Sequence, residues 1–467
     1  MQSSSASMII DRRDFQRLAR NVAGKIILRE DADYEAARRV WNGMIDKRPL
    51  GIVRCINPDD VLATIAFAVE NRIAVAVRGG AHNIAGNSTC DNGLVIDLSP
   101  MKSVEIDRHS HRGRAGGGVL WGEFDAATQK VGLATNGGLM PSTGVAGFTL
   151  GGGLGHLMRS YGLACDNLLS ADVVTADGRT LRASAKQNDD LLWAIRGGGG
   201  NFGIVTSFEF QLHDVGPDLL GGRLIYRLDD APGVLRFYRE FMAGAPDNLI
   251  VYAGLSTGSD GEPRVGFRPV FNGPVAEGQS LLKPLRQFGA PVLDDIEPRP
   301  YVDIQKIVEP MFPPGRLNYW KASFVDDLSD ELVDILVAAY RRVPSRYSNV
   351  ALEPMGGAIA RVPDTATAFH HRAAAYSLLI LGGWVDAAQS EVNVAWVRDL
   401  WDATRPLSSR AVYVNYLGTE GGGRIRDAYG PNHARLSEIK RKYDPGNFFR
   451  FNQNIEPALS SWSGSKS

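Results

Sequence analysis

The chain has 467 residues, of which 44% are hydrophobic and 22% charged, the balance of a globular protein long enough for about two to four domain-sized cores. Lys and Arg number 51 against 52 Asp and Glu, a formal net charge of -1, which argues against a general nucleic-acid or membrane-surface binder because both attractions rest on a basic excess. No run approaches transmembrane length, and Cys55, Cys90 and Cys165, with no CxxC or CxxH pair, suit neither a disulfide framework nor a structural zinc site.

Residues 1–50 read as two helices, the first carrying Phe15 and Leu18 on one face and the second Tyr34, Ala37, Val40, Trp41 and Met44. Arg12-Arg13 resembles the pair of an export signal, but Gln16, Arg17, Arg20, Asn21 and Lys25 interrupt the apolar stretch such a signal needs, so a cytoplasmic protein is expected. Asn57-Pro58 supplies an N-cap and an N1 proline for a helix through Val61, Ile65 and Ala68. The apolar run Ile73 to Val77 then reads as a buried strand, an α/β opening. Strands follow at 94–98 and 104–106, a helix at 121–130, two strands about the turn Asp177-Gly178, a helix after Asn188 and an alternating strand over 204–212.

After Gly216-Pro217 alternating runs dominate, at 223–228, 249–255, 264–271, 317–324, 375–384 and 411–417, with helices at 330–342 and 388–401. That texture predicts an antiparallel sheet with helices on one face and a boundary near residue 217.

Glycine carries the chemistry. Arg78-Gly79-Gly80-Ala81-His82-Asn83 follows a buried strand, where consecutive glycines let several N–H groups converge on an anion such as a diphosphate. The stretch Ser142 to His156 is glycine-dense and uncharged, as expected where backbone lies against a large flat ligand or its phosphates. Tyr161 to Asn167 holds a lone cysteine, Cys165, which by itself reads as an inert buried thiol. Gly198, Gly200 and Gly203 satisfy GxGxxG, yet an alternating strand follows where a dinucleotide fold needs a helix, and no acid stands about 20 residues on, so a nicotinamide site is rejected. Tyr413-Val414-Asn415-Tyr416 lies in a predicted strand that would point Tyr413 and Asn415 to one side and Tyr416 to the other. Tyr443 to Phe449, with Asn452, reads as a turn, and His109-Ser110-His111, set among arginines, as a solvated one.

Together these motifs, in this order, resemble the berberine-bridge-enzyme-like branch of the vanillyl-alcohol-oxidase flavoproteins over nearly the whole chain. The resemblance implies an α+β fold: a two-part PCMH-type FAD-binding domain, here 1–217 completed by 421–467, around a substrate-binding domain at 218–420. It implies FAD attached to His82 and, as in bicovalent members, to Cys165. It assigns FAD contacts to Arg78, Gly79, Gly80, Ala81, Asn83, Ser88, Ser142, Thr143, Gly144, Gly147, Thr149, Gly151, Gly152, Gly155, His156, Gly203, Ile204, Asn415 and Asn452.

It further implies an oxidoreductase that takes a hydride from a C–H beside oxygen or nitrogen in a bulky small molecule, a sugar, alkaloid or polyketide, with O2 as acceptor. A flavin dehydrogenase and a non-catalytic flavin binder are the alternatives. Tyr416 is the expected base and Tyr413 the second candidate. A free phenol titrates near 10, so a nearby cation or donor is expected to help it. The acid that often stands two residues past the second tyrosine is replaced by Gly418, with Glu420 beyond. His370, His371, Tyr376 and Trp384 suit pocket and packing roles alike. No metal site is expected.

Overall fold

The computed structural model describes residues 12–459. The first helix, Arg12–Ala19, buries Phe15 and Leu18 as its spacing predicts. The second expected helix shrinks to Tyr34–Ala37, and a strand, Lys25–Leu28, precedes it. The missed strand, Lys-Ile-Ile-Leu, pairs antiparallel with Gly51–Arg54 and buries Ile27.

Gly51–Arg54 and Val75–Arg78 both lie parallel to Leu94–Asp97, and the helix Pro58–Glu70 makes the crossover. Asn57 Oδ1 accepts from the Asp60 N–H at 2.9 Å, the cap its position predicts. A second sheet is antiparallel, in the order Val104–Asp107, Arg112–Gly116, Ile204–Gln211, Leu168–Val174, Thr180–Ser184.

A nine-stranded antiparallel sheet is drawn from Asp218 to Trp384. From Pro263–Phe271 its order runs through Leu249–Thr257, Asn349–Pro354 and Tyr376–Trp384 to the edge strand Leu317–Val325. The helices Ala231–Ala243, Asp330–Tyr340 and Ser390–Thr404 cover one face. There Val251, Ala253, Leu255 and Phe267 share a core with Leu235, Tyr238, Leu336 and Val397. By strand alternation Tyr252, Gly254, Gly266 and Arg268 point to the opposite face, toward the glycine-rich N-terminal half. The C-terminal helix His433–Tyr443 returns to that half, where Leu436, Ile439 and Tyr443 pack in one core with Trp121, Phe124 and Leu191.

One predicted strand is not formed. Residues 411–417 hold a 3-10 turn, Val414–Tyr416, instead. In such a turn side chains three apart eclipse rather than alternate, so Tyr413 and Tyr416 meet, with ring centroids 4.8 Å apart at 84°.

Candidate active site

A cavity of about 430 Å³ lies between the glycine motifs and the uncovered face of the large sheet. On the N-terminal side it is lined by Gly79, Gly80, Ala81, His82, Asn83, Ser88, Thr143, Gly144, Gly147, Gly203 and Ile204, and from the C-terminal part by Tyr413, Asn415, Tyr416 and Asn452. Ala81 sits at φ +59, the left-handed region, which is why glycine would be the easier residue there. The two glycine stretches touch through backbone: a Cβ at Gly80 would lie 2.3 Å from the Gly144 N, and one at Gly144 would lie 2.4 Å from the Gly80 N. Gly147 differs, for a Cβ there would meet nothing within 4 Å.

The remaining expected cofactor residues stand behind the lining. Arg78 is buried, donates to the Ala37 carbonyl and lies 4.0 Å from Asp97, so it braces the end of its strand. Gly151 and Gly155 serve packing, since a Cβ would fall 2.1 Å from Asn415 Oδ1 and 1.9 Å from the Gly137 carbonyl. Gly152 takes φ +121 beneath Phe369. Ser142 and Thr149 do not line the cavity either. His156 is buried, and its Nδ1 meets Gln305 Oε1 at 2.7 Å. Gln305 Nε2 in turn donates to Asp125 Oδ2 at 3.0 Å and to the Gly138 carbonyl at 2.9 Å. Burial pushes His156 down to about 4, so it is neutral, and Asp125 up to about 7.

The residues present fit FAD. The backbone N–H groups of Gly80, Ala81, His82 and Asn83 donate to no protein acceptor among the described residues. Ser88 Oγ and Asn452 Oδ1, both on lining residues, are buried without a hydrogen-bond partner, and such groups ordinarily find one. Gly147 leaves open a place that a side chain would fill. His82 is pushed down to about 4 by burial, so its imidazole is neutral and nucleophilic, as attachment to a flavin requires. It stacks on Trp41 at 5.3 Å, and Trp41 meets Trp320 edge-on at 5.7 Å. Trp320 meets Tyr416 at 5.8 Å, closing an aromatic wall from His82 to the expected base.

Cys165 requires a correction. It is fully buried, packs with Leu157, Leu163 and Tyr413, and does not line the cavity. Its thiol faces Asp166 at 3.8 Å, and burial followed by that carboxylate pushes its pKa up. A protonated thiol walled off from the cavity is not an attachment point. Asp166 itself is held by Arg372 through bonds of 2.9 and 2.7 Å, a structural ion pair. The second-attachment expectation therefore falls to the inert thiol that the motif alone suggested.

The group that Tyr416 bonds to is a carboxyl, while a cation of the kind expected near it, Arg268, acts on it only through space. Tyr416 donates to Glu353 Oε1 at 2.8 Å, and burial, followed by that neighbouring carboxyl, raises the phenol well above its ordinary value. Burial pushes Glu353 up to about 7. Sequence reasoning missed Glu353, the lone acid of the strand Asn349–Pro354, and missed Tyr252 beside it and Arg268 on the far side of Tyr252. The Tyr413 hydroxyl accepts from the Gly153 N–H at 2.9 Å and from Asn415 Nδ2 at 2.7 Å. Glu420 is paired with Lys321 at 3.0 Å and Arg424 at 3.3 Å, away from the lining. His370, His371, Tyr376 and Trp384 do not line the cavity and are packing residues.

Such a fold and site, a two-sided cavity with a neutral histidine in one glycine loop and a hydrogen-bonded tyrosine–glutamate pair opposite, are those of a flavin-dependent oxidoreductase. Comparison with known proteins agrees. An FAD binding domain family matches residues 49–184, and the berberine and berberine-like family matches 412–456. The chain is 33% identical to the uncharacterized FAD-linked oxidoreductase YvdP of Bacillus subtilis, covering 94% of this chain and 99% of that protein. It is 31% identical to (R)-6-hydroxynicotine oxidase of Paenarthrobacter nicotinovorans, covering 94% and 97%. The solved 6-hydroxy-D-nicotine oxidase of Arthrobacter nicotinovorans superposes with a TM-score of 0.87 at 30% identity, covering 94% of this chain and 98% of that one. The chain belongs to the berberine-bridge-enzyme-like family of FAD-linked oxidoreductases, and it is an FAD-binding enzyme.

Proposed function

We propose that this enzyme is an oxidase that removes two electrons from a C–H bond beside oxygen or nitrogen in a ring-bearing, largely apolar small molecule. FAD is joined to the chain once, at His82, and O2 takes the electrons to give H2O2. The observation that carries this reading is the Tyr416–Glu353 hydrogen bond of 2.8 Å facing the cavity that His82 enters. Trp41, Leu139, Phe312, Trp320, Val350 and Leu381 line the space between and favour a planar apolar body over a polyol. The similarity to an enzyme named for hydroxynicotine oxidation supports the same substrate class.

When bound, FAD supplies the hydride acceptor. The chain's own residues handle the proton. Tyr416 takes the O–H or N–H proton of the substrate as its own moves to Glu353 Oε1. Glu353, poised near 7, is the group that finally holds it, which spares Tyr416 from ionising in a buried site. The aromatic wall from Trp41 through Trp320 packs against the substrate and excludes water. We place FAD binding in 1–217 with 421–467, and substrate binding in 218–420.

The test is anaerobic addition of candidate aromatic alcohols and amines to the yellow enzyme, followed by air. Bleaching that recovers with H2O2 formation is expected. Bleaching that persists in air would replace the oxidase with a dehydrogenase, and no bleaching by any compound would favour a binder.

A further inference from the structure

Two arginines line the cavity. Arg223 is engaged by Asp295, with contacts of 2.8 and 2.6 Å. Arg268 makes no ion pair and no hydrogen bond to a protein group among the described residues; its guanidinium lies 5.5 Å from the Tyr252 ring centroid and acts on Glu353 and Tyr416 only through space. That leaves five N–H donors in a planar fork without acceptors. Other buried arginines each hold acceptors: Arg159 donates to the Leu249 carbonyl at 2.9 Å and also to those of Met355 and Ala245, and Arg372 grips Asp166.

The sheet fixes where the fork lies. Arg268 stands directly opposite Tyr252 across two antiparallel strands. Ala253 opposite Leu352 sets Glu353 beside Tyr252 on the next strand. Arg268, Tyr252 and Glu353 thus form one row on the cavity face, the two charged positions two strand spacings, or about 10 Å, apart at the backbone. The neighbouring row is Gly266, Gly254 and Ala351, which leaves the space beside it open.

From this geometry we infer that Arg268 anchors a carboxylate of the substrate, placing the oxidised carbon of an apolar, ring-bearing acid beside Tyr416 and Glu353. The inference rests on the oxidoreductase reading and names the substrate class within it. An alternative duty for Arg268, holding Glu353 ionised, does not fit. The two form no ion pair within 4.0 Å among the described residues, and although the Arg268 charge lowers Glu353 through space, it is the smallest of the influences on that carboxyl and burial still carries it up to about 7. A half-buried guanidinium that faces a cavity without a protein partner is suited to accept a carboxylate through its fork with two charge-assisted bonds.

The experiment is calorimetric titration of the flavin-loaded enzyme with 2-naphthoate and with the uncharged 2-naphthamide. Wild type is expected to bind the acid roughly 10- to 100-fold more tightly, the range of a hydrogen-bonded charge pair. Arg268→Gln is expected to erase that preference while binding the amide as wild type does and retaining its covalent flavin. Arg268→Lys is expected to keep the preference in weakened form, which separates charge from folding. Equal affinities in wild type, no binding of the acid, or a preference that survives in R268Q would overturn the inference. A preparation that prefers the acid but carries no flavin would support the carboxylate site and remove the oxidoreductase reading. A yellow preparation without preference would do the reverse.

Discussion

The Tyr416 hydroxyl and the Glu353 carboxyl share one hydrogen bond of 2.8 Å, and burial raises both above their ordinary values. At neutral pH only the carboxyl is near its titration point, so the pair acts as one base whose ionising member lies behind the one that meets the substrate. Below about 7 the rate of flavin bleaching is expected to rise about tenfold per pH unit and to level above it, since the base must be ionised. Stopped-flow reduction in Glu353→Gln is expected to be slow and to lose that limb. Tyr416→Phe is expected to slow reduction by about 10²- to 10⁴-fold with the flavin retained.

Attachment is decided by mass. Acid precipitation followed by intact mass measurement is expected to give a yellow pellet heavier by one FAD in wild type and in Cys165→Ser. In His82→Ala the flavin is expected in the supernatant. A C165S protein that releases its flavin would restore the cysteine to the site.

The glycines divide into two kinds, and substitutions should separate them. Gly147→Val extends into open cavity, so it is expected to lower FAD content while leaving the melting temperature of flavin-free protein within about 2 °C, as surface substitutions do. Gly144→Ala drives a Cβ to 2.4 Å from the Gly80 N, and is expected to destabilise by about 1–3 kcal/mol, the cost of overpacking. Thermal melts with flavin quantified alongside distinguish the two.

Asp125 links stability to pH. In the folded chain burial holds its proton up to about 7, whereas an unperturbed aspartate titrates near 3.8. The folded state therefore binds more protons than the unfolded one between those values. This contribution to stability is full below 3.8 and is lost progressively as pH rises to about 7. Asp125→Asn is expected to flatten that part of the melting-temperature profile from pH 5 to 8. An unchanged slope would mean the carboxyl is ionised in the folded protein.

Much of this was legible in the sequence because it rests on local signals. Asn57-Pro58 capped its helix, alternation found the strands of the large sheet, and two glycine stretches marked the cofactor side. What was illegible depended on tertiary placement. Tyr413 to Tyr416 has strand-like composition, yet its chain turns to satisfy Tyr413 against Gly153, a partner 260 residues away. Cys165 stood in a recognisable motif, but whether a thiol reaches a cavity depends on which side of a backbone segment it falls. Glu353 and Arg268 sit on strands 85 residues apart and become neighbours of Tyr252 only through sheet register.

That register also constrains how such a protein can change its tastes. Sliding the strand Leu249–Thr257 by a single position would swap Tyr252 and Gly254 for Val251 and Ala253, exposing greasy side chains to the reactants and burying the phenol under helices. New specificities are thus reachable by exchanging residues in place, whereas insertions or deletions inside these strands would dismantle the reaction chamber and the helix-backed core together.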